Sequence, residues 1–227
     1  MHSKIFITAF CTILSLVNVP GAAGHGLILK AKGDAGTATS KGLGVDDNTP
    51  RDGTRRRPFQ QDTTVFKGQR NVASAKGCGK TLEGGVNQIA AFTGTMAQVT
   101  QGGTVSMTLH QVNTDGAGPY TCMVNAAGDG QSFVQMQVTT QVPGRNGNNR
   151  QTQKQDLPLV AQLPANVQCT GTVGGMSNVC MVRCQNNARA GPFGGCVPVQ
   201  MVGGSANTTA PAPQGRFRFA RGLTLHW

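Results

Sequence analysis

The histidines are the residues of this chain best suited to do chemistry. The chain has four, and three of them, His25, His110 and His226, follow a leader-like segment that ends at Gly24. Cleavage after Gly24 would give His25 a free α-amino group beside its imidazole, so that one residue could chelate a metal with two nitrogens. Such an amine has an unperturbed pKa of about 7.7–8.0, so a metal ion can displace its proton near neutral pH.

A second imidazole on a strand would complete three nitrogen donors. Apolar and polar residues alternate in Thr104–Val112, and His110 falls on the polar side, where we expect it to be presented rather than buried. Nitrogen-rich tetragonal coordination is the geometry that Cu(II) prefers, and copper heads the divalent affinity order. We therefore predict one copper ion at His25 and His110, with His226 uninvolved. The alternative is that His25 is an accident of cleavage and His110 an ordinary surface residue.

The first 24 residues have the features of a secretory signal peptide. Lys4 precedes an apolar stretch from Ile5 to Val19, and small residues at 22–24 follow it. This stretch is too short to span a membrane as a mature helix, and no other stretch approaches membrane length. We predict that residues 1–24 are removed and that residues 25–227 form one secreted domain without a membrane span.

Six cysteines remain after the leader, which would remove Cys11. An even number in an oxidising compartment predicts three disulfides, although spacing alone does not choose the pairs. A zinc cluster would need C-x-x-C spacings, and the chain has none. The six are Cys78, Cys122, Cys169, Cys180, Cys184 and Cys196.

The chain is strongly basic. Lys and Arg outnumber Asp and Glu by 20 to 9, and loss of Lys4 with the leader lowers the net charge from +11 to +10. Such charge attracts polyanions without naming them. Because only 5% of residues are aromatic, a stacking platform for bases is lacking. We expect cell-wall polysaccharide or anionic surface glycans as partners and no nucleic acid; a merely solvated basic surface stays open. The sequence does not indicate an oligomeric state.

Other catalytic classes find little support. Gly79-Lys80-Thr81 resembles the end of a phosphate-binding loop, but Ser74 stands where the first glycine of that motif belongs. A G-x-S-x-G nucleophile motif is missing. Glu83 is the only glutamate in the chain, so a glycosidase pair of carboxylates would have to come mostly from scattered aspartates.

Short alternating segments between glycine-rich connections predict an antiparallel β-sandwich of the immunoglobulin or fibronectin type, with long loops. The loops are predicted at 32–61, at 144–156 and at 203–214, where Asn207 begins a glycosylation sequon. A short helix is possible around Gln69–Ala75. Besides Thr104–Val112, the predicted strands are Gly26–Lys30, Tyr120–Asn125, Phe133–Val138, Leu157–Leu163, Val179–Cys184, Val197–Val202 and Arg216–Ala220.

Two family resemblances rest on these motifs. His25-Gly26, the strand that carries His110 and the block Asp115–Cys122 resemble fungal lytic polysaccharide monooxygenases. The stretches Cys180–Asn186 and Gly191–Gln200 strengthen this resemblance. More closely, and over nearly all of the mature chain, the sequence resembles the fungal appressorium-associated virulence proteins of the Egh type. Thr49–Arg56 and the Gly-Pro-Phe-Gly-Gly-Cys block at 191–196 look like hallmarks of that family.

The monooxygenase resemblance implies a copper-binding histidine brace at His25 and His110. It also implies that Phe193 is the axial neighbour of the metal and that Cys196 pairs with Cys78. Gly191 stands where cellulose-active members carry a glutamine that orients the oxygen species, and groups in that position tune a metal site strongly.

The function predicted from the sequence is therefore a secreted, virulence-associated fungal protein with a copper brace. If it is an enzyme, it would oxidise cell-wall polysaccharide as a monooxygenase does; its catalytic residues are not assigned. Two alternatives remain open. One is a copper-binding protein without catalysis, and the other is a basic effector that binds the wall or the host surface and holds no metal.

Overall fold

The computed structural model describes residues 25–52, 60–66, 77–81 and 83–203. Within these ranges the chain forms strands and two short 3-10 turns, Ile89–Ala91 and Thr114–Gly116, and no α-helix. The strands are β1 Gly26–Gly33, β2 Thr39–Lys41, β3 Thr64–Val65, β4 Lys80–Thr81, β5 Gly85–Val86, β6 Ala97–Val99, β7 Thr104–Gln111, β8 Tyr120–Asn125, β9 Val134–Gln135, β10 Gln137–Thr140, β11 Gln155–Gln162, β12 Gly171–Val173, β13 Met176–Asn186 and β14 Phe193–Met201.

The strands form two sheets. The first has the order β10-β11-β7-β1-β2, and the second has the order β5-β4-β3-β14-β13-β8-β9, with β12 on β13 and β6 on β14. Among the described pairs only β6 and β14 run parallel. The predicted all-β antiparallel sandwich is confirmed.

Alternation explains how the two sheets enclose the largest hydrophobic cluster between them. Val105, Met107 and Leu109 of β7 are all buried and belong to the same hydrophobic cluster as Val182 and Val197 of the other sheet. Apolar residues that recur every second position must share one face of a strand, and burying that face stabilises the sheet pair.

One strand prediction is wrong. Phe133–Val138 was expected to form one alternating strand, but β9 pairs with β8 in the second sheet and β10 pairs with β11 in the first. The chain changes sheets at buried Met136, whose N–H still donates to the Cys122 carbonyl oxygen (2.9 Å). Burial of this methionine between the sheets therefore outweighs continuity of the strand.

The predicted loops fare differently. The segment 32–61 includes the end of β1 and the whole of β2, so it is not one continuous loop. Between Gly144 and Lys154 the chain has no strand, only a single bridge between Arg145 and Asn148. The signal peptide, the helix at 69–75, Asn207, the rest of the last loop, the strand at 216–220 and His226 lie outside the described residues.

The six cysteines form three disulfides. Cys78 pairs with Cys196, as the resemblance implied. Cys122 and Cys184 lie opposite each other on β8 and β13. Cys169 pairs with Cys180. All three bonds therefore tie the second sheet to itself or to the loops beside it.

A buried cation lies inside the second sheet. Arg183 of β13 is fully buried, its guanidinium stacks over the ring of Phe66 at 4.2 Å, and it donates to the carbonyl oxygen of Gly77 (3.1 Å). Burial lowers the pKa of Arg183 to about 10. No helix in the described part of the chain is long and apolar enough to cross a membrane.

Candidate metal centre

His25 lies at one end of the sandwich, immediately before β1. Its carbonyl oxygen accepts hydrogen bonds from the N–H groups of Val112 (2.9 Å) and Asn113 (3.4 Å). These bonds extend the pairing of β1 with β7 by one residue. The side chain of His25 is 21% exposed, so the ring is held by the sheet but still reaches solvent.

A turn brings a carboxylate onto the ring of His25. Asp115 belongs to the turn Thr114–Gly116, and its Oδ1 contacts His25 Nδ1. Gly116 allows this approach, because a Cβ at that position would lie 1.7 Å from the His25 carbonyl oxygen. Glycine is therefore required at position 116 because the backbone of the turn packs directly against the backbone of His25.

Two buried side chains hold this turn in place. The Tyr120 hydroxyl donates to the Gly116 carbonyl oxygen (2.8 Å), and Asn186 Nδ2 donates to the carbonyl oxygens of Asp115 and Ala117 (both 2.8 Å). Burial first, and then the charge of Asp115, raise the pKa of Tyr120 well above its usual range. Tyr120 is therefore a neutral donor at any physiological pH.

His110 is buried, contrary to the expectation that it would be presented to solvent. It lies on β7 opposite Leu27 of β1 and Asp156 of β11, and both His110 and Leu27 are nearly inaccessible. The alternation is as expected, but this face of the sheet is covered. Thr49 and Asp156 line the same cavity of about 590 Å³. Part of the connection after β2 therefore lies next to the strand residue that faces His110.

The two nitrogens of His110 differ. Nδ1 lies 2.7 Å from Asp156 Oδ1, whereas Nε2 is buried and has no hydrogen-bond partner among the described residues. A buried polar atom without a partner is costly and requires an explanation. A histidine whose one nitrogen is held by a carboxylate while the other points free has the arrangement of a metal ligand.

The register relates the two histidines. His25 lies opposite Val112, and His110 is two residues before Val112 on the same strand. In an antiparallel pair such diagonal neighbours have Cα atoms about 7–8 Å apart. The pairing of β1 with β7 therefore makes His25 and His110 near neighbours, although they are 85 positions apart in the chain.

Phe193 packs against His25. The two ring centroids are 4.8 Å apart with an interplanar angle of 34°, and Phe193 is fully buried. Gly191 has no room for a side chain in this backbone, because a Cβ there would lie 2.6 Å from the Phe193 nitrogen. The structure thus brings Phe193 to the first histidine and leaves no place for a glutamine at position 191.

A nitrogen-rich cation site at this end of the sandwich would draw on three side-chain donors. They are the His25 imidazole, the partnerless Nε2 of His110 and the Asp115 carboxylate. Among the described residues no group of three or more His, Cys, Asp or Glu is gathered as a metal cluster, but a brace needs only two histidines and an amine. The copper site therefore remains a prediction.

Sequence reasoning missed the two carboxylates that hold the histidines. Asp115 could have been suspected, because it follows His110 by five residues in an Asp-Gly turn. Nothing in the sequence marks Asp156, which becomes a partner of His110 only through the pairing of β7 with β11.

A shallow depression of about 530 Å³ opens beside His25. Polar and charged side chains line it, and Phe193 and Tyr120 lie buried nearby without reaching it. The lining residues are His25, Asn113, Thr114, Asp115, Asn148, Arg150 and Gln153.

Comparison with known proteins places the chain in a family. Residues 23–194 match the Egh16-like virulence factor model. The chain is 51% identical to the appressoria-specific virulence factor GAS1 of Pyricularia oryzae over 89% of this chain and 80% of that protein. It is 36% identical to the appressoria-specific virulence factor GAS2 of the same fungus over 67% of this chain and 53% of that protein. The chain therefore belongs to the Egh16-like virulence factor family.

Proposed function

We propose that this protein is a secreted appressorial virulence factor that binds one copper ion in a brace formed by His25 and His110. The name of its relatives supports the biological role. The metal is supported chiefly by one observation: the buried Nε2 of His110 has no hydrogen-bond partner in the described part of the chain, while Nδ1 of the same ring is held by Asp156.

Each residue has a defined part in this proposal. His25 supplies its α-amino nitrogen and its ring, and His110 supplies Nε2. Asp115 Oδ1 faces Nδ1 of His25. This carboxylate would either compete with the metal for that nitrogen or bind the metal beside it. Phe193 closes the side of the His25 ring away from solvent with an apolar surface. Bound copper would supply one-electron chemistry towards peroxide or oxygen.

A role without catalysis is the second candidate. Groups around the first ligands orient reactants and tune the metal, and the glutamine that does so in cellulose-active monooxygenases has neither a counterpart nor space at Gly191. The same brace would then bind or carry copper without oxidising a glycan.

Copper titration of the protein that begins at His25 tests the metal site. We expect one tightly bound Cu(II) with an EPR signal of several nitrogen donors. His110→Ala should remove one donor and weaken binding severely, because it deletes a ligand, whereas His226→Ala should bind like the parent. Unchanged binding by His110→Ala would refute the site.

Catalysis is tested separately. With ascorbate and peroxide, an oxidase should release oxidised oligosaccharides from cellulose, chitin, xylan or pectin. Tight copper binding without oxidised products on any of the four would favour the non-catalytic candidate.

A further inference from the structure

A basic loop borders the depression at His25. This loop, residues 144–154, carries Arg145, Arg150 and Lys154 and contains no acidic residue. All three side chains belong to exposed residues. None of them takes part in an ion pair with any acid in the described part of the chain, so their charges are available to a partner.

The basic loop is part of the same surface as the predicted metal centre. Arg150 and Gln153 line the depression together with His25 and Asp115. The loop also packs beneath the turn at 114–118, since Gly147 donates to the Gly118 carbonyl oxygen (3.0 Å) and Ala117 donates to that of Gly147 (3.1 Å).

A buried glutamine fixes the shape of this loop. Gln111 Nε2 donates to the Asn149 carbonyl oxygen (2.7 Å), and Gln111 Oε1 accepts from the Thr152 hydroxyl (2.6 Å). The Lys154 N–H donates to the Gln111 carbonyl oxygen (2.7 Å). The cations are therefore presented by a backbone that is already ordered, which lowers the entropy cost of binding.

The chemistry of the surface selects the partner. Guanidinium groups bind carboxylates through paired hydrogen bonds. The amide nitrogens of Asn148 and Gln153 donate within the loop, and their amide oxygens can accept from sugar hydroxyls. Among the described residues, the lining of the depression contains no Phe, Tyr or Trp, so it offers no large apolar ring to stack against a neutral sugar face or a nucleic-acid base. An acidic glycan satisfies these features better than either.

We propose that the basic loop binds polyuronate, a glycan whose sugar units carry carboxylates, and aligns it across the depression at His25. The alignment with His25 rests on the proposed function. The binding itself requires no metal, so the two proposals can fail independently.

Binding of metal-free protein to polygalacturonate, measured in EDTA at two salt concentrations, tests this assignment. The substituted protein carries Arg145→Gln, Arg150→Gln and Lys154→Gln. A control carries Lys30→Gln, Lys32→Gln and Lys80→Gln, three exposed cations on β1 and β4, and loses the same net charge.

We expect the parent and the control to bind, with affinity that falls as salt rises. The loop variant should bind at least about ten-fold more weakly. An equal loss in the control would show that only net charge matters and would overturn the proposal. Equal binding of a neutral, fully methyl-esterified pectin would also overturn it, as would duplex DNA that binds as tightly with the same dependence on the loop.

Copper titration of the same variants separates the two proposals. The loop variant should hold copper as the parent does, because its substituted residues supply no ligand. Loss of polyuronate binding with intact copper affinity supports the assignment, whereas parallel loss of both would show that the substitutions disturb the whole end of the sandwich and would contradict it.

Discussion

Each of the two histidines at the centre of this account is matched to a carboxylate. Asp115 faces His25, and Asp156 faces His110. The chain has only 9 acidic residues, and two of them face these histidines. The carboxylate at Nδ1 of His110 orients the ring and leaves Nε2 as the nitrogen that a metal would meet.

Asp156 should therefore act as a positioning residue. Asp156→Ala is expected to lower copper affinity about 10–100-fold, because loss of an outer partner loosens a histidine ligand. The number of nitrogen donors seen by EPR should not change. Asp47→Ala, which removes an exposed partner of Lys41, serves as the control. Equal affinities in the two variants would show that the His110–Asp156 contact has no bearing on the metal.

Tyr120 offers a second test at the residue scale, because it is the only tyrosine of the chain. Its pKa is raised by burial and by Asp115, so folding favours the neutral hydroxyl. This contribution to stability is fully present below about pH 10, the usual tyrosine pKa, and declines at higher pH as the unfolded chain ionises.

The measurement is tyrosinate absorbance during an alkaline titration. The folded protein should show no ionisation near pH 10, and absorbance should rise only with unfolding, monitored in parallel by circular dichroism. Unfolded protein in urea should titrate near pH 10. A folded protein that half-ionises near pH 10 would contradict the burial of Tyr120 beneath the Asp115 turn.

At the scale of elements, alternation predicted most of the strands. The predicted Tyr120–Asn125 coincides with β8, and Thr104–Val112 differs from β7 by one residue. Alternation reports which face of a strand is apolar, but it does not report what covers the other face. That is why His110 was correctly placed on the polar side and wrongly expected to be exposed.

The contact between Asp156 and His110 could not be predicted from the sequence for a related reason. Asp156 meets His110 only because β11 pairs with β7 in one particular register, and a shift by one residue would turn the carboxylate to the other face. The change of sheet at Met136 depends in the same way on long-range packing, which local spacing does not encode.

The turn at 114–116 is the element on which the site depends most closely. Gly116→Ala would place a Cβ 1.7 Å from the His25 carbonyl oxygen, so the turn must move away from β1. We expect a loss of about 1–3 kcal/mol in the free energy of unfolding, as for other overpacked sites, together with weaker copper binding.

Gly175→Ala provides the comparison for this variant. Gly175 has a positive φ of 78° and nothing within 4 Å of the added Cβ. The Gly175→Ala variant therefore introduces backbone strain without steric overlap. Urea unfolding and copper titration should show a stability cost for both variants but weaker copper binding only for Gly116→Ala. Normal copper binding by Gly116→Ala would mean that the turn is dispensable.

At the scale of the whole molecule, disulfides reinforce the second sheet while hydrogen bonds and packing hold the first. The Cys122–Cys184 bond closes 62 residues, and the Cys169–Cys180 bond closes 11. Replacing the first pair by alanine should cost about 2–5 kcal/mol. Replacing the second should cost less, because a shorter loop loses less entropy in the unfolded chain. Urea unfolding of both variants would reveal the reverse order if this account is wrong.

The start of β1 connects the fold to the candidate site. The fold brings the start of β1 beside β7, so a chain that begins at His25 would offer an amine, two imidazoles and a carboxylate at one end of the sandwich. The family relationship establishes that such a protein belongs with appressorial virulence factors, and the basic loop beside His25 suggests where a glycan would lie.

The copper brace can be tested by comparing copper binding by two forms of the protein, one beginning at His25 and one with a single alanine added ahead of it. Mass spectrometry of each form verifies its first residue. The added residue converts the His25 amine to an amide and removes one donor, but it leaves both imidazoles and the fold unchanged. We expect tight one-to-one binding of Cu(II) with a several-nitrogen EPR signal for the first form and severely weakened binding for the second. Equal affinities and identical spectra in the two forms would refute the brace.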